Sequence, residues 1–139
     1  MSTDRLQLKL LTPVKTLFDQ PVDQVVVNTQ DGEITVLPNH SQLVSILMAG
    51  ELLIKDGDKE FPLAVSFGTL EISNNTLVIL ADAADHAHDI DVEASEKKAA
   101  ELAKELETQE EMDITTYNNL QRLLQKERAK LAVGKKWRS

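Results

Sequence analysis

The chain contains no cysteine. That excludes a disulfide framework and thiolate metal sites, and it suits a reducing compartment. No apolar run approaches the ~20 residues of a membrane span, and Met1-Ser2-Thr3-Asp4-Arg5 has no signal-peptide core, so a soluble, unexported protein is expected. Glycine and proline are absent from Thr69 to Val133, while all four prolines (Pro13, Pro21, Pro38, Pro62) and four of the five glycines lie at or before Gly68. The first part must therefore turn often, whereas the later part can support long uninterrupted helices. A Gly-rich phosphate loop is missing too, which excludes a standard nucleotide hydrolase.

Charge is unevenly spread. The net charge of −8 divides into −7 for Met1 to His88, −7 for Asp89 to Asp113 and +6 for Ile114 to Ser139. An acidic body without a basic face argues against nucleic acid as the main partner. The basic tail calls for something acidic, either another protein or the chain's own middle. Its last part, Lys135-Lys136-Trp137-Arg138, reads as a contact for anionic lipid or nucleic acid, or as a solvated, frayed terminus.

The stretch from Asp31 to Leu43 organises the first part. Asp31-Gly32 is a hairpin signal, on the expectation that both central residues of a tight turn take positive φ. Pro38, which cannot donate to a ladder, closes a strand from Ile34 to Leu37. Arg5 to Leu10 alternates as a strand with one buried face, stopped by Thr12-Pro13, and Val25-Val26-Val27 suits a strand covered on both sides. Glu51 to Ile54 and Phe61 to Val65 flank a turn at Lys55-Asp56-Gly57-Asp58. Thr69 to Ile72 and Thr76 to Leu80 flank Asn74-Asn75, which tolerate the left-handed conformation. Eight to ten short strands in ~80 residues predict an all-β sandwich or flattened barrel over residues 1–86.

At Ala81 the period changes, and residues 87–139 read as an antiparallel α-helical hairpin. Asp91 is the N-cap of the first helix, Ser95, Ala99, Leu102 and Leu106 form its seam, and Glu93, Lys97 and Glu101 make a charge ladder. Thr108 to Asp113 is the break. The second helix carries Ile114, Tyr117, Leu120, Leu124 and Leu131 on one stripe, with Arg122, Lys126, Arg128 and Lys130 on the other face and Gly134 as a C′ glycine. Its seam has few large side chains, each worth about 1.5–3 kcal/mol when buried, against a comparable ordering cost. An arm that undocks is physically plausible.

Sites for chemistry are sparse. Asp85-His86-Ala87-His88-Asp89 gathers metal-ligand types, but two ligands at one junction fall short of a closed site, and a solvated linker accounts for them equally well. His40 with Glu33 is the one conceivable catalytic pair, and no serine elbow or second histidine accompanies it. Neither a catalytic residue nor a metal site is expected.

Several segments together resemble the epsilon subunit of F-type ATP synthases (delta in mitochondrial nomenclature). Gly32-Glu33, Leu37-Pro38-Asn39-His40 and Leu43 are similar to its central signature. Ser66-Phe67-Gly68-Thr69-Leu70-Glu71-Ile72 resembles its Ser-Gly-Gly-x-x-Glu-Val segment, and Val78-Ile79-Leu80-Ala81-Asp82 with Ala84 its Val-x-Val-Leu-Ala-Asp-x-Ala strand end. Departures include Phe67 at a family glycine and His40-Ser41-Gln42 where His-Ala-Pro is common. The resemblance implies a non-catalytic central-rotor subunit that couples ion flow to ATP synthesis. Its β-domain would hold the gamma subunit and face the c-ring through Glu33, Pro38 and His40, on the loops flanking the central strand. The hairpin would be a mobile inhibitor of hydrolysis whose basic residues Arg122, Lys126, Arg128 and Lys130 meet the alpha/beta catalytic head. Some family members bind ATP on the hairpin. Ile90 and Asp91 match that motif and Lys126 and Lys130 could serve it, but Ala94 stands at the motif's arginine, so weak or absent ATP binding and no other cofactor are expected. Membrane contact would come only through the complex, on the cytoplasmic face of a bacterial plasma membrane or the stromal face of a thylakoid, as the lack of a transit peptide suggests. A free-standing sandwich whose helical arm recruits an acidic partner is the alternative.

Overall fold

Leu6, Leu8 and Leu10 are wholly buried while Lys9 between them is exposed, so the alternation at the start of the chain does form a strand with one core face. In the computed structural model, which describes residues 4–108 and 111–138, this is β1 (Leu6–Leu11). It is followed by β2 (Thr16–Val22), β3 (Gln24–Thr29), β4 (Gly32–Val36), β5 (Leu43–Leu47) and β6 (Gly50–Asp56). Then come β7 (Lys59–Val65), β8 (Gly68–Ser73), β9 (Thr76–Ala81) and β10 (Ala84–His86), a 3₁₀ turn (Ala87–Asp89), α1 (Val92–Thr108) and α2 (Ile114–Lys136).

The ten strands form one curled sheet in the order β10-β7-β6-β3-β5-β8-β9-β1-β2, with β4 added to β3. The fold bears out the expected all-β sandwich or flattened barrel followed by a helical hairpin, the sheet curling as a half-barrel. β3 is the bend. Its first half pairs with β6 (Val25 with Ile54), while Thr29 at its end pairs with Leu47 of β5, so one strand passes the sheet from one layer to the other. β1 runs parallel to β9, closing the second layer. Aliphatic side chains from both layers, among them Leu52, Ile54, Leu70, Ile72, Leu77 and Ile79, fill the interior, and no helical residue joins that cluster.

Proline placement follows the free edges. Pro21 sits in edge strand β2, and Pro62 lies in β7 just beyond the stretch Leu63–Val65 that pairs with β10. Both are inside strands, which proline alone would not suggest, because each lies where a missing N–H costs no ladder bond to an outer neighbour. β2 and β10 carry no clear sequence signal: Pro21 interrupts the first, and the second has three residues.

The turns divide. Asn74 (φ 50°) and Asn75 (φ 58°) make the two-residue turn between Ser73 and Thr76 as predicted. The β3–β4 hairpin differs from expectation. Thr29 pairs with Gly32, so Gln30-Asp31 are the turn residues and only Gly32 has positive φ, at 113°. The Thr29 hydroxyl, donating to Gly32 O at 2.8 Å and accepting from Asp31 N–H at 3.2 Å, fixes this geometry instead of a left-handed aspartate. β4 also starts earlier than predicted and ends at Val36, one residue short of Leu37.

In the hairpin, Asp91 Oδ1 accepts from Ala94 N–H at 3.1 Å and Asp113 Oδ1 from Thr116 N–H at 2.7 Å, capping both helices. The Thr116 bond holds the Asp113 carboxyl below its usual range. Ala99 and Leu102 are buried against Leu124, with Leu106 and Leu120 at the margin, and Ser95, one turn before Ala99, is buried as well. The expected stripe on α2 shortens, since Ile114 is 70 % exposed and Tyr117 42 % exposed. Gly134 is not a C′ residue. It lies inside α2, buried, because a side chain there would collide with Val92 and Ile90 at the start of α1.

Candidate functional site

The two parts of the chain meet at a small patch. Ala64 on the outer face of β7, Ala87 of the 3₁₀ turn and Val133 of α2 are buried together, with Ile90 and Trp137 packed around them. The floor is two methyl groups, so little apolar area is removed from water here. Polar contacts frame it. Glu51, beside Ala64 across the β6–β7 ladder, accepts from Trp137 Nε1–H at 2.7 Å through one oxygen and from Lys136 Nζ at 2.8 Å through the other. The hydrogen bond to Glu51 raises the Lys136 pKa. Lys135 Nζ lies 3.4 Å from Glu96 of α1. The tail is therefore neither frayed nor free for lipid or nucleic acid in this conformation: its lysines answer the acids of the chain's own sandwich and middle.

The basic residues of α2 do not share one face. Arg122 and Lys126 look into a cleft of about 1100 Å³ between α2 and the sandwich corner at Ser66 to Thr69. There the Arg122 guanidinium sits 4.7 Å from the centre of the Phe67 ring. Arg128, 240° further round the helix at ~100° per residue, lines a separate cleft with Thr29, Met48 and Gly50. Lys130 approaches Glu127 to 3.8 Å. Glu127, the one acid of α2, is 4 % exposed and also lies 4.0 Å from Lys98 of α1, with its Oε2 unpartnered among the described residues.

Glu33, Pro38 and His40 are not gathered at one point. Glu33 lies within β4, opposite Asn28, and not on a flanking loop. Pro38 and His40 follow the other end of the strand, beyond Leu37, which itself lies roughly 13 Å of extended chain from Glu33. No hydrogen bond or ion pair joins His40 to Glu33. His40 N–H instead donates to Leu37 O at 3.2 Å, and its Nδ1 lies 2.8 Å from Ser41 O. Asn39 (φ 64°) donates its N–H to Asn75 Oδ1 at 2.7 Å and its side-chain amide to Asp4, tying this corner to the β8–β9 turn.

The nucleotide ligand set is likewise dispersed. Asp91 is occupied in capping α1, and Ile90 packs in the docking patch. The cleft beside them, about 350 Å³, is lined by Gly134 of α2 and by Trp137 and Arg138 just past its end. Lys130 and Lys126 stand one and two turns further back on α2, ~6 and ~12 Å along the axis from Gly134. His86 and His88 do turn to one side, with ring centres 5.6 Å apart, but His86 rests on Phe18 and no group of three ligand-type side chains assembles among the described residues. Burial first, and then His88, lower the His86 pKa.

Sequence reasoning missed Glu51 and Glu127, and it named Trp137 and Phe67 without their partners: Trp137 only as part of the basic tail, Phe67 only as a departure from the family's glycine. Each acquires its role through contacts between residues about thirty to ninety positions apart.

These features define a class: a separately cored β-sandwich with a C-terminal helical hairpin laid against its outer face. Residues 5–87 match the family model for the β-sandwich domain of the ATP synthase delta/epsilon chain. The ATP synthase epsilon chain of Desulforamulus reducens is 42 % identical over 99 residues, covering 71 % of this chain and 74 % of that one. A chain of Euglena gracilis mitochondrial ATP synthase, in a structure of OSCP, F1 and c-ring, superposes with a TM-score of 0.80 at 21 % identity over 95 % of this chain and 82 % of its own. A chain of the Tetrahymena thermophila central stalk and c-ring gives 0.69 at 12 % identity over 96 % and 99 %. The chain belongs to the ATP synthase delta/epsilon family.

Proposed function

We propose that this chain is a non-catalytic central-stalk subunit of ATP synthase. Its sandwich holds the gamma subunit and rests on the c-ring, and its hairpin is a reversible brake on ATP hydrolysis by the alpha/beta head. It sits at the membrane only through the complex, on the cytoplasmic face of a bacterial plasma membrane. Membership of the family supports the stalk assignment, and the relatives of like fold come from central-stalk and F1/c-ring assemblies. One observation carries the brake: among the described residues the sandwich core contains no helical residue and the inter-helix cluster no sandwich residue, so the two part at the small Ala64–Ala87–Val133 patch without either losing its interior.

Once released, α2 would present Arg122 and Lys126 on one face and Arg128 on another to acidic surfaces of the head, and Glu33, Pro38 and His40 remain the ring-facing candidates. Because the docked hairpin keeps Asp91 in a cap and Lys126 two turns along α2 from Gly134, which lines the cleft beside Asp91, ATP would bind this form weakly or not at all. The test is hydrolysis by the matching alpha/beta head with gamma, measured with the full chain or with one ending at His88, which retains the whole sandwich core. Inhibition by the full chain alone supports the brake. Equal gamma binding by both with no inhibition leaves a structural coupler, and no gamma binding by either overturns the stalk assignment.

A further inference from the structure

We infer that Glu51 is the positioning residue that sets whether the hairpin is docked, acting as a two-pronged acceptor that latches the end of α2. The inference rests on the brake reading only for its consequence in the complex. The latch itself is a property of the isolated chain.

Little else holds this end. Ala64 and Ala87 offer methyl groups, and among the described residues Val133, Ile90 and Trp137 are the larger apolar side chains of the patch. Polar contacts therefore weigh heavily in the balance between docked and free. Glu51 is well placed to supply them. It stands on β6, a strand paired along its whole length with β7, so its backbone is fixed by the sandwich. Its two oxygens receive different donors, Trp137 Nε1–H at 2.7 Å and Lys136 Nζ at 2.8 Å, from consecutive residues of the other part. Charge-assisted bonds of this length are among the stronger ones, and the indole bond is part-buried, where water competes less. The exposed ammonium of Lys136 contributes mainly direction. Tryptophan suits this place because its ring covers the alanine floor while its single N–H reaches the carboxylate. Register is fixed at the same time, since buried Gly134 lets the turn before Trp137 lie directly against Val92 and Ile90.

Trp137 is the only tryptophan of the chain, so its fluorescence reports the latch directly. The experiment compares acrylamide quenching of Trp137 in the full chain with that in Glu51→Gln, Glu51→Asp and the charge swap Glu51→Lys with Lys136→Glu. Thermal unfolding of the sandwich is followed in parallel. Glu51→Gln should leave the sandwich melt unchanged and shift the docking equilibrium toward the free arm by about 10-fold or more, read as increased quenching. The swap restores the ion pair but leaves the indole N–H without an acceptor, so it should stay as accessible as Glu51→Gln, and Glu51→Asp should be partly rescued. Unchanged quenching in Glu51→Gln, or full recovery in the swap, overturns the latch. In the complex, Glu51→Gln should inhibit hydrolysis more strongly than the parent chain. Increased quenching without any change in hydrolysis upholds the latch and sinks the brake.

Discussion

The guanidinium of Arg122 lies 4.7 Å from the centre of the Phe67 ring, pinning the first half of α2 to the corner between β7 and β8. The resemblance puts glycine at this position, so the contact belongs to this chain's own sequence. It also occupies a residue that the brake reading needs at the catalytic head. Replacing Phe67 with Gly should remove roughly 0.5–1 kcal/mol of docking and speed amide hydrogen exchange in α2 around Arg122, leaving exchange in β1 and β9 unaltered. Unchanged exchange around Arg122 would show that the stacking holds nothing.

Gly134 separates helix propensity from packing. In an open helix Gly→Ala gains about 1 kcal/mol. Here a Cβ would stand 2.9 Å from Val92 Cγ2 and 3.0 Å from Ile90 Cγ2, both stiff β-branched methyls. Gly134→Ala is expected to forfeit the propensity gain, and Gly134→Leu to undock the hairpin. Trp137 quenching should report both, with the larger side chain giving the larger rise.

Asn75 ties three segments together. Its Oδ1 accepts from Asn39 N–H at 2.7 Å, its Nδ2 donates to Arg5 O at 2.7 Å, and its carbonyl accepts from Gln7 N–H at 3.1 Å. Asn75→Ala loses both side-chain bonds and places alanine at φ 58°, for a cost of about 2 kcal/mol to the sandwich. Asn74→Gly, which keeps those bonds and accepts positive φ, should be close to neutral. Denaturant midpoints of the two variants would decide it.

Protonation of His86 should weaken the fold. Burial beside Phe18, followed by the neighbouring His88, lowers its pKa from the ordinary value of 6.5. The unfolded chain then binds the proton more readily than the folded one. This contribution to stability is complete above pH 6.5 and is lost as pH falls from there through the lowered value, levelling off below it. Thermal midpoints measured across that window should fall less in His86→Phe than in the parent. Parallel curves would show that His86 does not carry the dependence.

Much of this protein is local, and what is local was legible. Alternation at Leu6, Leu8 and Leu10, the Asn74-Asn75 turn and the Asp91 cap each depend on a few adjacent residues, whose steric and hydrogen-bonding preferences act before any tertiary contact forms. Those signals determine an all-β first part, a helical hairpin and the order of the elements, and the motifs among them resemble one family.

Tertiary structure decided the rest. Helical spacing gives the angle between Arg122 and Arg128, but not which cleft each one faces, because that depends on which side of α2 a distant β-layer covers. Period and propensity likewise cannot distinguish a terminal glycine from Gly134, whose missing side chain matters only because Val92 lies against it. The resemblance implies a loop position for Glu33, but register between strands is set by pairing across the sheet and not by adjacent residues, and it puts Glu33 inside β4 opposite Asn28. The Glu51 latch joins residues 86 positions apart. Nothing in the neighbourhood of either residue marks the other, since a carboxylate and an indole acquire their relation only when folding brings them together.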